Sequence, residues 1–260
     1  MLLRAFAYFL LDAAHNTSSR RTKDTGQTVR ILKIALKASR CSLDSNDLDL
    51  AFKLLESCSK YVSAWDETTP VIRMTDSECN DEKDLITQLT SEFYLYRTLH
   101  ASKTGRIDLA DHFFTKANIT GERRHNGLLE TAADICYEIG RSQQHEKLVE
   151  SALSWLERAY QLLDGEDIDS SSMENEDLRL AITASFVENL NSPPDSVNAS
   201  RAWNLLTSLE RDHGLGNRMA VLAMQLNVLM KVDDIDIAAA SAAVSRMIRC
   251  SVLTDQTYRM

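Results

Sequence analysis

The chain has 260 residues with only 8 glycines and 3 prolines and is 44% apolar, a composition that suits long helices joined by polar turns and excludes a sandwich of short strands with Gly- and Pro-rich turns. Its formal net charge of −9 argues against a surface that as a whole neutralises nucleic-acid phosphates, and leaves only local basic patches for such contacts. The five cysteines, Cys41, Cys58, Cys79, Cys136 and Cys250, are odd in number and contain no CxxC pair, which fits reduced thiols and offers neither a disulfide framework nor a zinc site.

The first element is the apolar run Leu2-Leu3-Arg4-Ala5-Phe6-Ala7-Tyr8-Phe9-Leu10-Leu11. Asp12 interrupts it early and the periodicity continues beyond, so it reads as a helix rather than a secretory signal. No stretch reaches the roughly 20 apolar residues that span a bilayer, and the expected setting is soluble and intracellular.

A short phrase then recurs. It reads Asn46-Asp47-Leu48-Asp49-Leu50-Ala51, Gly105-Arg106-Ile107-Asp108-Leu109-Ala110 and Asp233-Asp234-Ile235-Asp236-Ile237-Ala238. In each copy a turn-forming residue precedes an aliphatic residue and an alanine, the arrangement that lets a helical chain reverse and pack two helices closely. The alanine opens a stripe at steps of four and three: Ala51, Leu55, Cys58; Ala110, Phe114, Ala117; Ala152, Leu156, Ala159; Ala202, Leu206, Leu209; and Ala238, Ala242, Ser245. Such steps place three residues on one helical face. These are the offsets of the second helix of a tetratricopeptide repeat.

The pattern predicts first helices over 28–42, 86–103, 128–141, 178–190 and 216–230 and second helices over 47–63, 107–118, 147–163, 196–211 and 235–250. Ile139-Gly140 is the large-small pair expected in a first helix, whereas Arg97 and Thr98 stand in the corresponding places of an earlier unit. The alanines are 59, 42, 50 and 36 residues apart, against a standard period of about 34. The expected fold is all-α: a single tetratricopeptide-like domain over 1–260, a right-handed superhelical solenoid of antiparallel helix pairs with divergent repeats and acidic loop insertions. The insertions are read at 64–84, with Pro70, and at 164–177, where seven acids and three serines cluster; neither buries enough apolar surface to fold alone. Pro193-Pro194 is expected to separate two helices. Because solenoids need polar caps, the apolar opening helix reads as part of a longer array.

Chemistry-bearing patterns are sparse. His15, His100, His112, His125, His145 and His213 lack close ligand spacing, and Gly214-Leu215-Gly216 lacks the third glycine and preceding strand of a dinucleotide loop. The pair Asp233-Asp234 has no nucleophile or oxyanion donor nearby in sequence and fits turn and cap duty. No catalytic residue, cofactor, metal or small-molecule substrate is expected. Arg30, Lys33, Lys37 and Arg40 line one helical face opposite Ile31, Ile34, Ala35 and Ala38, with Arg20, Arg21 and Lys23 just before. They are either a solvated face or a docking strip for an acidic partner or DNA. The aromatic cluster Phe93, Tyr94, Tyr96, Phe113 and Phe114 reads first as packing between two helices, with a peptide groove as the other reading; Trp155 and Trp203 share that ambiguity.

The opening Leu2 to Ala14, the segment Asp47 to Tyr61, the run Phe93 to Ala117 and the segment Ser151 to Asp164 resemble the fungal sporulation-specific meiotic repeat proteins, whose plant and animal relatives also act in meiosis. The resemblance covers most of 1–210 and is weaker beyond. It implies a nuclear scaffold on meiotic chromosomes that holds other meiotic chromosome proteins together and promotes synaptonemal-complex assembly and crossover recombination. It supplies no catalytic residue. The alternative from the repeats alone is a cytosolic peptide-binding adaptor of co-chaperone type, gripping acidic peptides through cations on successive first helices; only the first unit has such a strip. A helical-repeat enzyme subunit would need an ordered cluster of titratable groups in a cleft.

Overall fold

The computed structural model describes residues 2–17, 25–72, 80–119, 126–163, 173–191, 196–213, 216, 218–231 and 237–257. Among them are eleven α-helices and no strand: α1 (Leu2–Thr17), α2 (Thr25–Asp44), α3 (Leu48–Ile72), α4 (Asn80–Lys103), α5 (Ile107–Lys116), α6 (Asn126–His145), α7 (Val149–Leu163), α8 (Met173–Leu190), α9 (Ser196–His213), α10 (Met219–Lys231) and α11 (Ile237–Thr257). None of these is long and apolar enough to cross a membrane. The chain divides into two compact units, Met1–Leu129 and Glu130–Met260.

In the first unit α1 packs on α2, α2 on α3 and α4, α3 on α4, and α4 on α5. The inward face of α1 is set by Ala5 and Tyr8, both buried; Tyr8 donates a hydrogen bond to Ser57 Oγ at 2.6 Å, and Tyr61 donates one to Asp12. Its other face leaves Leu3, Phe6 and Leu10 exposed. Helix α4 buries Leu89, Phe93, Leu95, Tyr96, Leu99 and Ala101, more than one stripe, as a helix with three packed neighbours does. In the second unit α7 packs on α8, α8 on α9 and α10, α9 on α10, and α10 on α11. Leu156, Phe186, Val187, Leu190, Leu206, Leu209 and Val221 share one core there. Glu210 of α9 accepts from Gln225 of α10 at 3.1 Å and pairs with Arg246 of α11 at 2.7 Å.

Three turns repeat one design. Asn46, Gly105 and Lys147 have φ of 57°, 74° and 63°. At the first, Asn46 N–H donates to Leu43 O and Asp47 N–H to Ser42 O, and the pattern recurs with Arg106 to Ala101 O and Leu148 to Gln143 O. These bonds satisfy the last carbonyls of the outgoing helix and release the chain into the next one.

The second-helix stripes are buried at Ala51, Leu55, Cys58, Ala110, Ala117, Ala152, Leu156, Ala159, Ala202, Leu206 and Leu209, with Phe114 half-buried. The fifth stripe is corrected. Ala238, Ala242 and Ser245 are exposed, and the inward residues of α11 are Ala239, Ala243 and Arg246, one position along. A run rich in alanine offers little difference in apolar area between adjacent registers, so spacing alone does not choose between them. The first insertion is also smaller than expected: α3 continues through 64–72, with Pro70 in its last turn, and α4 starts at Asn80. Pro70 costs the last turn of α3 one backbone bond and leaves the turns before it intact, and acids are tolerated at a helix start. Helix α8 likewise takes in 173–177. Residues 164–172, Arg20, Arg21, Lys23, Cys79, His125, Pro193, Pro194 and Asp233 to Asp236 lie outside the described residues.

Candidate functional site

The predicted cationic strip falls on α2, whose other faces are taken by α1, α3 and α4. Arg30, Lys33 and Lys37 are exposed and form no ion pair with a described residue. Arg40 departs from them: it is half-buried, its Nε lies 2.9 Å from Asp44 Oδ1, and its charge acts on Tyr96 of α4. The structure therefore presents three outward cations at spacings of three and four and turns the fourth toward its own helix end. Cations of one sign on one face repel at i,i+4, and anionic groups of a partner would relieve that repulsion.

The aromatic cluster splits. Phe93 and Tyr96 are core residues, Tyr96 donating to Glu92 Oε1 at 2.7 Å. Tyr94 and Phe113 remain half-exposed where α4 meets α5, their rings stacked with centroids 6.5 Å apart. Arg97 lies over Phe113, 4.7 Å from its centroid, and 5.9 Å from that of Phe93, while Lys116 lies 5.8 Å from the centroid of Tyr94. Each cation sits over the negative face of a ring. On the α3 side, His100 Nε2 is 3.2 Å from the Leu48 carbonyl oxygen, which makes it the donor nitrogen, and the His100 ring is 5.7 Å from that of Phe52, which is 46% exposed. Burial pushes the His100 pKa down and Arg97 adds to that, against the hydrogen bond to Leu48 and the charge of Asp49. His100 is thus neutral at neutral pH. Burial also lowers the Arg97 pKa, opposed by Tyr94 and Glu56; arginine stays charged regardless.

Arg97 enters the sequence reading only as a degenerate repeat position. The signal that could have singled it out is the Phe93-Arg97 step of four, which stacks the two on one helix face; Phe113 and Lys116 come from another helix, and their approach is not local. Trp155 is buried with Arg158 4.6 Å from its ring centroid, and Trp203 packs against the core of the second unit. Among the described residues no His, Cys, Asp and Glu group could hold a metal ion. Cys58 and Cys136 are buried, and burial pushes both thiols well above their ordinary range.

No curated protein and no solved structure matches the chain. The model of the family described as meiosis protein SPO22/ZIP4 like matches residues 100–260, from the end of α4 through α11. That span includes Phe113 and Lys116 and runs through the segment beyond 210, where the sequence reading expects the resemblance to weaken, while residues 1–99 lie outside it. It is well over half of the 260 residues, and the chain therefore belongs to the SPO22/ZIP4-like family of meiosis proteins.

Proposed function

We propose that this chain is a non-catalytic protein-protein interaction scaffold of meiosis, a tetratricopeptide-like right-handed solenoid acting in the nucleus on meiotic chromosomes. It holds other meiotic chromosome proteins together, and through them promotes synaptonemal-complex assembly and crossover recombination. The family match over 100–260 carries this reading. The helix pairs support its architecture: repeated turns at Asn46, Gly105 and Lys147 and helices packed on their second neighbours as well as their first are what a repeat array needs.

The test is the location of a fluorescently tagged version in meiotic and vegetative cells. Foci along paired chromosomes are the expected result. A diffuse cytoplasmic signal at both stages would sink the reading and favour the second one, a cytosolic peptide-binding adaptor. The observation on that second side is the exposed trio Arg30, Lys33 and Lys37, a surface that fits an acidic peptide without any chromosomal setting.

A further inference from the structure

Arg97 is unusual among the charged groups of the first unit. Its guanidinium lies over Phe113 and near Phe93, and it donates no hydrogen bond and makes no ion pair among the described residues. A guanidinium has five N–H donors in a planar fork. A ring against its face leaves the edges of that plane for bonding, and the residue is half-exposed. The one carboxylate whose charge is felt there, Glu56 of α3, does not bond to it. None of its nitrogens is a buried unpartnered atom, so the free edges stay open to a carboxylate, which would form a charge-assisted pair there.

Its surroundings select the anion. Lys116 adds a second cation over Tyr94, while exposed Phe52 and half-exposed Tyr94 and Phe113 supply apolar faces to either side. We infer that the surface formed by Arg97, Phe113, Lys116 and Phe52 is a docking site for an acidic segment of a partner protein. A carboxylate enters the Arg97 fork and neighbouring apolar side chains lie on the rings. The segment is peptide rather than nucleic acid because two cations beside three partly covered rings form a short patch and not a track along a phosphate backbone. The inference rests on the scaffold reading and adds a site separate from the α2 strip.

The experiment measures fluorescence anisotropy of a fluorescein-labelled peptide of alternating Glu and Leu on the full 260-residue chain. The control probes are the same peptide with Gln for Glu and an oligothymidine strand. Arg97→Gln is expected to weaken the Glu/Leu peptide by about tenfold to a hundredfold, the loss of a charge-assisted pair. Arg97→Lys should restore it only in part, since an ammonium lacks the fork. Reversal of Arg30, Lys33 and Lys37 to Glu should leave the Arg97-dependent component unchanged. In the unmutated protein the Arg97 Nε–H resonance should shift on titration with the peptide, a readout that does not depend on how well a variant folds. The proposal is overturned if the resonance does not move, if the Gln peptide binds equally well, if Arg97→Gln binds like wild type, or if only oligothymidine binds through Arg97. Meiotic foci without peptide binding would remove this site and leave the scaffold reading standing. Peptide binding without foci would do the reverse.

Discussion

At the scale of single residues, three positions in the left-handed region decide where helices stop. Gly105 meets nothing within 4 Å of an added Cβ, so its role is conformational: at φ of 74° a side chain is strained by the backbone itself. Gly105→Ala should lower stability by about 1 kcal/mol in urea unfolding. Lys147 holds the same conformation without the freedom of glycine, and Lys147→Gly should raise stability by about 0.5–1 kcal/mol. A stabilised Gly105→Ala and a destabilised Lys147→Gly would show that the backbone geometry is not what governs these turns. The thiols give a second prediction. Cys58 and Cys136 are buried and held in the protonated form, so a thiol reagent applied to the native protein at pH 7 and at pH 9 should spare both and label the half-exposed Cys41 and Cys250. Labelling of Cys58 or Cys136 at the rate of unfolded protein would contradict the packing described.

At the scale of helix pairs, a small residue stands 12 positions before the stripe alanine in three units: Ser39 before Ala51, Thr98 before Ala110 and Gly140 before Ala152. All three are buried, and Ser39 and Thr98 return their hydroxyls to Ala35 O and Tyr94 O at 2.9 Å. Only small or self-satisfied side chains fit where the partner helix approaches so closely. At Gly140 an added Cβ would come within 2.7 Å of Leu156 Cγ, and Leu156 is fully buried. Gly140→Ala gains about 1 kcal/mol of helix propensity and loses about 1–3 kcal/mol to overpacking. The expected net effect is destabilising, and in a Leu156→Ala background it should become neutral or stabilising. A double-mutant cycle by thermal denaturation measures this, and additivity would refute the contact. The same spacing rule was legible in Ile139-Gly140 but not in Ser39, because serine and threonine read as polar until their hydroxyls are seen bonded to their own helix.

At the scale of the molecule, acids outnumber basic residues, 38 to 29, yet Arg30, Lys33 and Lys37 share one exposed face of α2 with no ion pair to a described residue. Arg30, Lys33 and Lys37 bear on no core residue, so reversing all three to Glu should shift the melting temperature by little, surface changes being worth within about 0.5 kcal/mol. It should weaken any partner that docks on this strip, measured by co-purification from meiotic cells of a named binding partner once one is identified by crosslinking. Loss of folding would show that the strip is structural. Arg40 is left out because it is tied to Asp44.

The sequence by itself determined that the chain is helical, where each of ten helices lies though not where α3 and α11 end or α4 and α8 begin, and which meiotic family it resembles. Those properties rest on local information: periodicity of apolar residues, turn residues at fixed offsets, and the absence of strand punctuation. Tertiary structure decided what local information cannot. It chose the inward register of α11, where alanines on neighbouring positions are nearly equivalent. It carried α3 through the acidic stretch to Ile72 and separated Arg40 from the cations beside it in sequence. It also brought Phe113 and Lys116 of α5 against Tyr94 and Arg97 of α4. The physical reason is the same in each case. The free energy that selects among such alternatives comes from desolvation and contact between residues distant in sequence, and it exists only once the helices have met.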